Sequence, residues 1–390
     1  MTVSEAEKYE VSRMTEDQKW NDILRLYKKY LCEDSEEVKN YALSYNQDVS
    51  PEARRIHDEA IVIDTCAWNL QSWNWHLEHS GCTAINCTVP DCDSDAGTAL
   101  RNIIEYYALC NEIDQCVMIR NVQDIYEAKK NGKVGIIFGA QNCDFIRHPD
   151  IDESVEVFAR LGLRVMSIAY NHRTFAADGC ATGSDDGITN DGRRMMRAME
   201  RNGIVVDLSH VGRRSSLEAI DFCEKPAVFT HSNAYSLYPH YRNITDEQAK
   251  KCAERGGVIG VSLYNVITWN GGDKFPTIEN VVDNIAYYAN LVGIDHVGLG
   301  SDSGANPGTY QHRVCTNICH TIRDSLGEQS LMYKSYEAGR GVRGYFIEGC
   351  ESMANFPNIT EHMLRRGFTE EEIKKVQGGN WMRVFTQWWR

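Results

Sequence analysis

The sequence predicts an α/β protein built as a (β/α)8 barrel of the TIM type, with a helical extension before it and helices after it. Three observations carry that prediction. Eight short apolar runs recur between residues 61 and 299. Helix-patterned stretches separate most of them, as β/α alternation requires. No glycine-rich phosphate turn follows the first run, where a doubly wound dinucleotide-binding sheet would carry one. The residues there are Asp64, Thr65, Cys66, Ala67 and Trp68.

Residues 1–55 read as a polar helical extension. Between 15 and 32, Trp20, Ile23, Leu24, Tyr27 and Tyr30 fall at helical spacing among charges. Thr15 with Gln18 three positions on has the pattern of a capping box. Residues 56–390 are the barrel domain. Its predicted strands are 61–63, 83–89, 134–138, 164–169, 204–208, 227–230, 258–263 and 296–299. Helices are expected over 192–202, 215–224 and 245–255, among others. Residues 305–345 carry Gly, Pro, Cys and His with little periodicity and read as an insertion over one barrel face. Helices over 359–365 and 369–376 follow, the second opened by Thr369 with Glu372 three positions on.

Hydrophobic residues make up 42% of the chain and charged residues 25%, the balance of a soluble globular protein. Lys and Arg number 41 against 55 Asp and Glu, a net charge of −14. That charge repels nucleic acid and anionic membrane, and neither is expected as a main partner. There is no run of 18 apolar residues and no basic start followed by an apolar stretch, so neither a membrane span nor a signal peptide is expected. Fourteen cysteines without a secretion signal read as reduced thiols, which points to the cytoplasm.

In such a barrel the reactive side chains collect where strands end. Asp64 and Cys66 follow the first run, Gln141 and Asn142 the third, and Asn171 and His172 the fourth. Asp207 and His210 close the fifth, His231 the sixth and Asp302 the eighth. His210 and His231 are the sharpest pair, because imidazoles from neighbouring strand ends can share one metal ion. Either alone would more often be a satisfied structural histidine. Asp302 reads as a general base or a metal ligand, against the plainer role of capping its own loop. Cys66 reads as a thiolate ligand, a nucleophile or a small buried filler. Gln141 can hydrogen-bond a substrate or ligate weakly through its carbonyl oxygen. His312, Cys315, Cys319 and His320 have ligand chemistry without a standard zinc spacing. Cys82, Cys87 and Cys92 point to alternating faces where they lie on a strand. Trp68, Trp73 and Trp75, with His76 and His79, wall a pocket in the first βα loop or simply pack.

Four motifs occur in order: Val206-Asp207-Leu208-Ser209-His210-Val211, Phe229-Thr230-His231-Ser232-Asn233, Tyr238-Pro239-His240-Tyr241-Arg242-Asn243 and Val297-Gly298-Leu299-Gly300-Ser301-Asp302. With Gly378-Gly379-Asn380-Trp381-Met382-Arg383, they resemble the membrane (renal) dipeptidase family, metallopeptidases of the M19 type. The resemblance implies a TIM-like barrel, a binuclear zinc site, a homodimer, and cleavage of dipeptides, including those with a D- or dehydro-residue on the C-terminal side. By position, it implies that His210 and His231 hold the second zinc and that Asp302 handles the proton of the attacking water. It implies that Arg242 grips the substrate carboxylate, which suits a guanidinium fork, and that Asn171 lies beside the pocket. Cys66 and Trp68 stand where the family has a His-x-Asp pair, and Gln141 stands at the bridging glutamate. The first zinc is therefore expected to be absent. The second would keep His210 and His231 with, at best, Cys66 and Gln141.

The expected function is a dipeptidase-like hydrolase acting on a dipeptide or small amino-acid-derived amide that carries a carboxylate. It would use one zinc or similar divalent ion, or none. Asp302, His210 and His231 are the expected catalytic residues, and Arg242, Asn171, Gln141 and Trp68 the expected substrate contacts. Two alternatives stay open: a metal-independent lyase or isomerase on the same scaffold, and a binding protein without catalysis.

Overall fold

The computed structural model describes residues 48–67, 79–90, 94–268, 276–302, 347, 349–350 and 353–389. The expected helix at 15–32, the aromatic group Trp68, Trp73, Trp75 with His76, Cys92, and the insertion 305–345 with His312 to His320 lie outside the described residues.

Six parallel strands form the larger sheet: β1 (Ile63–Ala67), β2 (Ala84–Thr88), β3 (Cys116–Ile119), β4 (Val134–Ala140), β5 (Leu163–Ser167) and β6 (Val205–Asp207). Their spatial order is β1-β2-β4-β5-β6, with β3 paired to the first half of β4. β7 (Ile259–Val261) and β8 (Val297–Leu299) form a second parallel pair. The predicted strand at 227–230 joins the two sheets, though it is not a regular strand. Val228 bridges Asp207 on one side, and Phe229 bridges Ile259 on the other. The ring closes where the Asp302 N–H donates to the Cys66 carbonyl at 2.8 Å. Eight staves result, at the places of the eight apolar runs.

Two expectations need correction. β3 has no counterpart in the sequence reading, because its four residues are only half covered and follow a long helix. β1 is longer than 61–63 and takes in Asp64 and Cys66, which therefore sit in the strand rather than after it. A buried acid does not end the strand because its oxygens are satisfied. Asp64 accepts from the Ser301 N–H (2.7 Å), the Ser301 hydroxyl (2.5 Å) and the Cys66 N–H (3.1 Å). The strands are otherwise near-continuous buried runs, as parallel strands covered on both faces must be; β4 is buried at all seven positions.

Eleven described helices surround the barrel: α1 (Pro51–Glu59), α2 (Ala96–Glu112), α3 (Val122–Lys130), α4 (Ile151–Arg160), α5 (Asn190–Asn202), α6 (Arg213–Phe222), α7 (Asp246–Glu254), α8 (Ile278–Val292), α9 (Phe356–Arg365), α10 (Glu370–Lys374) and α11 (Asn380–Trp388). Their starts follow local chemistry. Ser50 caps α1 with Pro51 behind it, and the boxes Asn121/Asp124, Thr245/Gln248 and Thr369/Glu372 open α3, α7 and α10. α1 runs across position 55 and packs on α9. The last helix closes the end of the barrel where strands begin. Trp381 and Trp388 are fully buried. The Trp388 indole N–H donates to Pro226 O at 2.9 Å, and the Asn380 amide donates to Ile294 O and Val297 O at 2.8 Å each. With that floor sealed, the opposite end is where strand-end side chains converge. Among the described residues no helix is long and apolar enough to cross a membrane.

Candidate metal centre and active site

Three non-glycine residues among those described have a left-handed backbone: Asn171 (φ 56°), His210 (φ 69°) and Asp302 (φ 56°). Asn, Asp and His tolerate that region better than most residues, yet it remains uncommon and clusters at functional sites. All three are strand-end residues that the sequence singles out. The segment after Gly179 holds two of them. The Cys180 N–H donates to His210 O and the Ala181 N–H to Asn171 O, both at 2.7 Å. A Cβ at Gly179 would lie 2.2 Å from the Asn171 carbonyl carbon, so only glycine allows this approach.

Both imidazoles are buried and have fixed tautomers. His210 Nδ1 lies 2.7 Å from Asn171 Oδ1, an oxygen that only accepts, so Nδ1 carries the hydrogen. His231 Nδ1 lies 2.7 Å from Thr230 Oγ1. The Thr230 hydroxyl gives its own proton to Asp207 Oδ2 at 2.8 Å, so it accepts from His231. Burial, reinforced by the nearby Arg242 charge, pushes both rings well below the usual imidazole range, which keeps them neutral. Each ring therefore has its lone pair on Nε2. The two Nε2 atoms are 3.0 Å apart, and two lone pairs at that distance repel unless a positive centre is shared between them. Histidines with Nδ1–H anchored and Nε2 directed at a common point are the usual arrangement around a metal ion.

Asp302 completes the group. Its Oδ1 lies 3.8 Å from His231 Nε2 and 3.9 Å from Cys66 Sγ. Ligand atoms of Cys66, His231 and Asp302 all fall within 4.8 Å of one another. Burial pushes the Asp302 carboxyl up to about 7; Arg242 opposes this, and the Asp64 and Asp207 charges add to it. Burial, followed by the Asp302 charge, likewise pushes the Cys66 thiol far up. Two imidazoles converging on one point, with the Cys66 thiol and the Asp302 carboxylate close to His231, are donors of the kind that suit a divalent transition metal.

Arg242 is buried beside this group. Its guanidinium donates to Ser232 Oγ at 3.0 Å and to the His231 carbonyl at 2.9 Å, which fixes the fork. Gln141 ends β4. Its Nε2 donates to Thr88 Oγ1 at 3.0 Å, and its buried Oε1 has no hydrogen-bond partner among the described residues. Asn171 is placed against His210 and also accepts from the Cys180 thiol at 3.5 Å, so its carbonyl oxygen orients an imidazole. Trp68 lies outside the described residues. The sequence reading missed Thr230 and the use of Asp207, which together set the His231 tautomer. The available signal was a Thr-His step at a strand end with an acid on the adjoining stave. It also missed Tyr170, whose ring centroid lies 4.2 Å from that of His210.

These features define a parallel barrel protein with a candidate metal centre at its C-terminal mouth. More narrowly, the chain belongs to the membrane dipeptidase family (Peptidase family M19), whose sequence model matches residues 50–312 and 340–388. Dipeptidase tcpJ of Claviceps purpurea (strain 20.1) is 28% identical over 290 residues, 74% of this chain and 58% of that protein. The chain spans about half the length of the curated relatives it matches. Among solved structures, an amidohydrolase from Pseudomonas aeruginosa is 30% identical with a TM-score of 0.73, covering 86% of this chain and 99% of its own. A metallo peptidase from Rhodobacter sphaeroides, liganded with a phosphinate mimic of the dipeptide L-Ala-D-Ala, shares the fold at 18% identity and a TM-score of 0.67, covering 85% of this chain and 100% of its own.

Proposed function

We propose that this chain is a dipeptidase-like hydrolase that cleaves a dipeptide or a small amino-acid-derived amide bearing a carboxylate. His210 and His231 would hold a divalent metal, and zinc is among the ions that imidazole donors suit. The observation that carries the reading is the pair of Nε2 lone pairs converging at 3.0 Å beside the Asp302 carboxylate. The dipeptidase name of the Claviceps relative supports it.

When bound, the ion supplies Lewis-acid polarisation of the scissile carbonyl. Asp302 Oδ1 accepts a proton from the attacking water as the new C–O bond forms. It returns that proton to the amide nitrogen as the C–N bond breaks. A carboxyl raised by burial to about 7 is suited to both directions of transfer. Arg242 pairs with the substrate carboxylate, and its fork is held in place by Ser232 and the His231 carbonyl. Asn171 and Thr230 keep both imidazoles in the tautomer that points Nε2 inward. The ten described cysteines are all free thiols, which supports a reducing, cytoplasmic setting. The family resemblance supports a homodimer.

The test is a dipeptide panel, including members with a D-residue at the C-terminal side, on protein purified without chelators. His210→Ala and His231→Ala are each expected to lose bound metal and turnover together. Full turnover after exhaustive chelation would exclude the metal-dependent reading.

A further inference from the structure

We infer that Asp64 and Ser301 are positioning residues for Asp302, a clamp that holds this acid in its place against His231. The inference deepens the hydrolase reading above and rests on its use of Asp302 as the proton carrier.

The first observation is a wiring pattern that occurs twice. Asp207 Oδ1 accepts from the Ser209 N–H (3.0 Å) and the Thr230 N–H (2.9 Å), and its Oδ2 accepts from the Thr230 hydroxyl (2.8 Å). Asp64 Oδ1 accepts from the Cys66 N–H (3.1 Å) and the Ser301 N–H (2.7 Å), and its Oδ2 accepts from the Ser301 hydroxyl (2.5 Å). The two sets match atom for atom. In each, an acid inside a strand takes the N–H two residues on, then the N–H and hydroxyl of one residue on the adjoining stave. That residue immediately precedes a site side chain: Thr230 precedes His231, and Ser301 precedes Asp302. On the first side the arrangement fixes an imidazole. On the second, the same arrangement stands behind the acid.

The second is the seam of the barrel. Among the described residues β1 and β8 lie in different sheets and share no strand ladder. On its β7 side Ser301 is held by main chain, with the Leu263 N–H donating to Ser301 O at 3.0 Å. On its β1 side the side chain of Asp64 takes over that work. The Cys66 carbonyl adds to it, accepting from the Asp302 N–H at 2.8 Å and lying 3.0 Å from Ser301 Oγ. Asp64 and Ser301 are fully buried, so neither can exchange its partner for solvent.

The third is backbone strain. Asp302 stands at φ 56°, a region that a residue keeps only where its surroundings over-determine it. The bonds at 301 and 302 supply that constraint. They also set where the side chain emerges, with Oδ1 3.8 Å from His231 Nε2. A misplacement of about 1 Å at a reacting group costs on the order of 10²-fold in rate.

The test compares Ser301→Ala, Asp64→Ala and Asp64→Asn in the full chain, each alone and combined with Asp302→Asn. Ser301→Ala is expected to lower kcat by roughly 10²-fold while KM and bound metal stay within about twofold of wild type. Asp64→Ala should do the same. Asp64→Asn should recover most of that loss, because its amide can still meet the two N–H groups and the hydroxyl. In the Asp302→Asn background the Ser301 change should cost nothing further, since it acts through that carboxylate. Equal costs in both backgrounds, or loss of metal, would mark a merely structural role and overturn the inference. Should alanine at 301 not fold, Ser301→Cys keeps the side chain small and weakens the donor. A smaller kcat loss, again absent with Asp302→Asn, is then expected. Crystal structures of the wild type and of the folded Ser301 variant read the placement without turnover. The Asp302 carboxylate is expected to shift by about 1 Å relative to His231, and an unmoved carboxylate refutes the clamp. A carboxylate that moves in a protein whose wild type turns over no dipeptide upholds the clamp and refutes the hydrolase.

Discussion

Thr230→Val tests whether the wiring behind the imidazoles governs the centre. Valine keeps the shape of threonine and removes its hydroxyl. That hydroxyl accepts from His231 Nδ1 at 2.7 Å and donates to Asp207 Oδ2 at 2.8 Å, and it lies 3.3 Å from Ser209 Oγ. His231 is fully buried, so its Nδ1–H would be left without a partner. An orphaned buried donor costs about 1–3 kcal/mol. The ring can escape that cost by moving its hydrogen to Nε2, which removes the lone pair that faces His210. The metal then competes against the wrong tautomer, and losing the hydrogen-bond partner of a ligating ring costs about 10–100-fold in metal affinity. The assay is competition with a chromogenic chelator, alongside a urea melt of the metal-free protein. The expected result is a metal dissociation constant raised at least tenfold with a modest loss of fold stability. Unchanged metal affinity in a folded variant would show that Thr230 does not set the tautomer.

Three further outcomes follow from the structure. Arg242→Ala is expected to raise KM far more than it lowers kcat, read from initial rates over a substrate series; equal effects on a substrate lacking the carboxylate would refute the pairing. Asp302→Asn should cut kcat by about 10²–10⁴-fold while the bound metal content stays the same, and turnover near the wild-type level would remove Asp302 from the proton path. Burial lowers the His57 imidazole from 6.5 to about 4, so between those values the unfolded chain binds the extra proton. The stability due to the neutral ring is complete above pH 6.5 and is lost as pH falls toward 4, a loss of about 2 kcal/mol at pH 5. His57→Gln should remove that portion of the difference between urea midpoints at pH 8 and pH 5, and an undiminished difference would refute it.

The cylinder was legible because its staves announce themselves. Runs such as Val134 to Phe138 and Ile204 to Leu208 are apolar, short and bounded by polar turns. Because a barrel places strand ends together, the same runs pointed to His210, His231 and Asp302 without any knowledge of distances. What escaped the reading depended on partners far away in the chain. Asp64 looked like the end of a strand because its solvation comes from Ser301, 237 residues on. The sixth stave looked like an ordinary strand, but each of its two bridging residues pairs with only one neighbour. The tautomer wiring runs Asp207 to Thr230 to His231 and Asn171 to His210, across different staves. Beyond the Thr230-His231 step at a strand end, neither path has a local sequence pattern, because no periodicity encodes which oxygen meets which ring nitrogen.

The left-handed turns at 171, 210 and 302 tie the identity of the centre to the shape of its loops. A generic L-residue placed in that conformation costs about 1–2 kcal/mol, whereas Cys66 sits on an extended strand that imposes no such restriction. Combinatorial libraries that vary the mouth of the barrel should therefore recover a narrow alphabet of Asn, Asp, His and Gly at those three places. Position 66 carries no such backbone restriction, but its side chain is buried, so packing and not dihedral preference limits what can replace the cysteine.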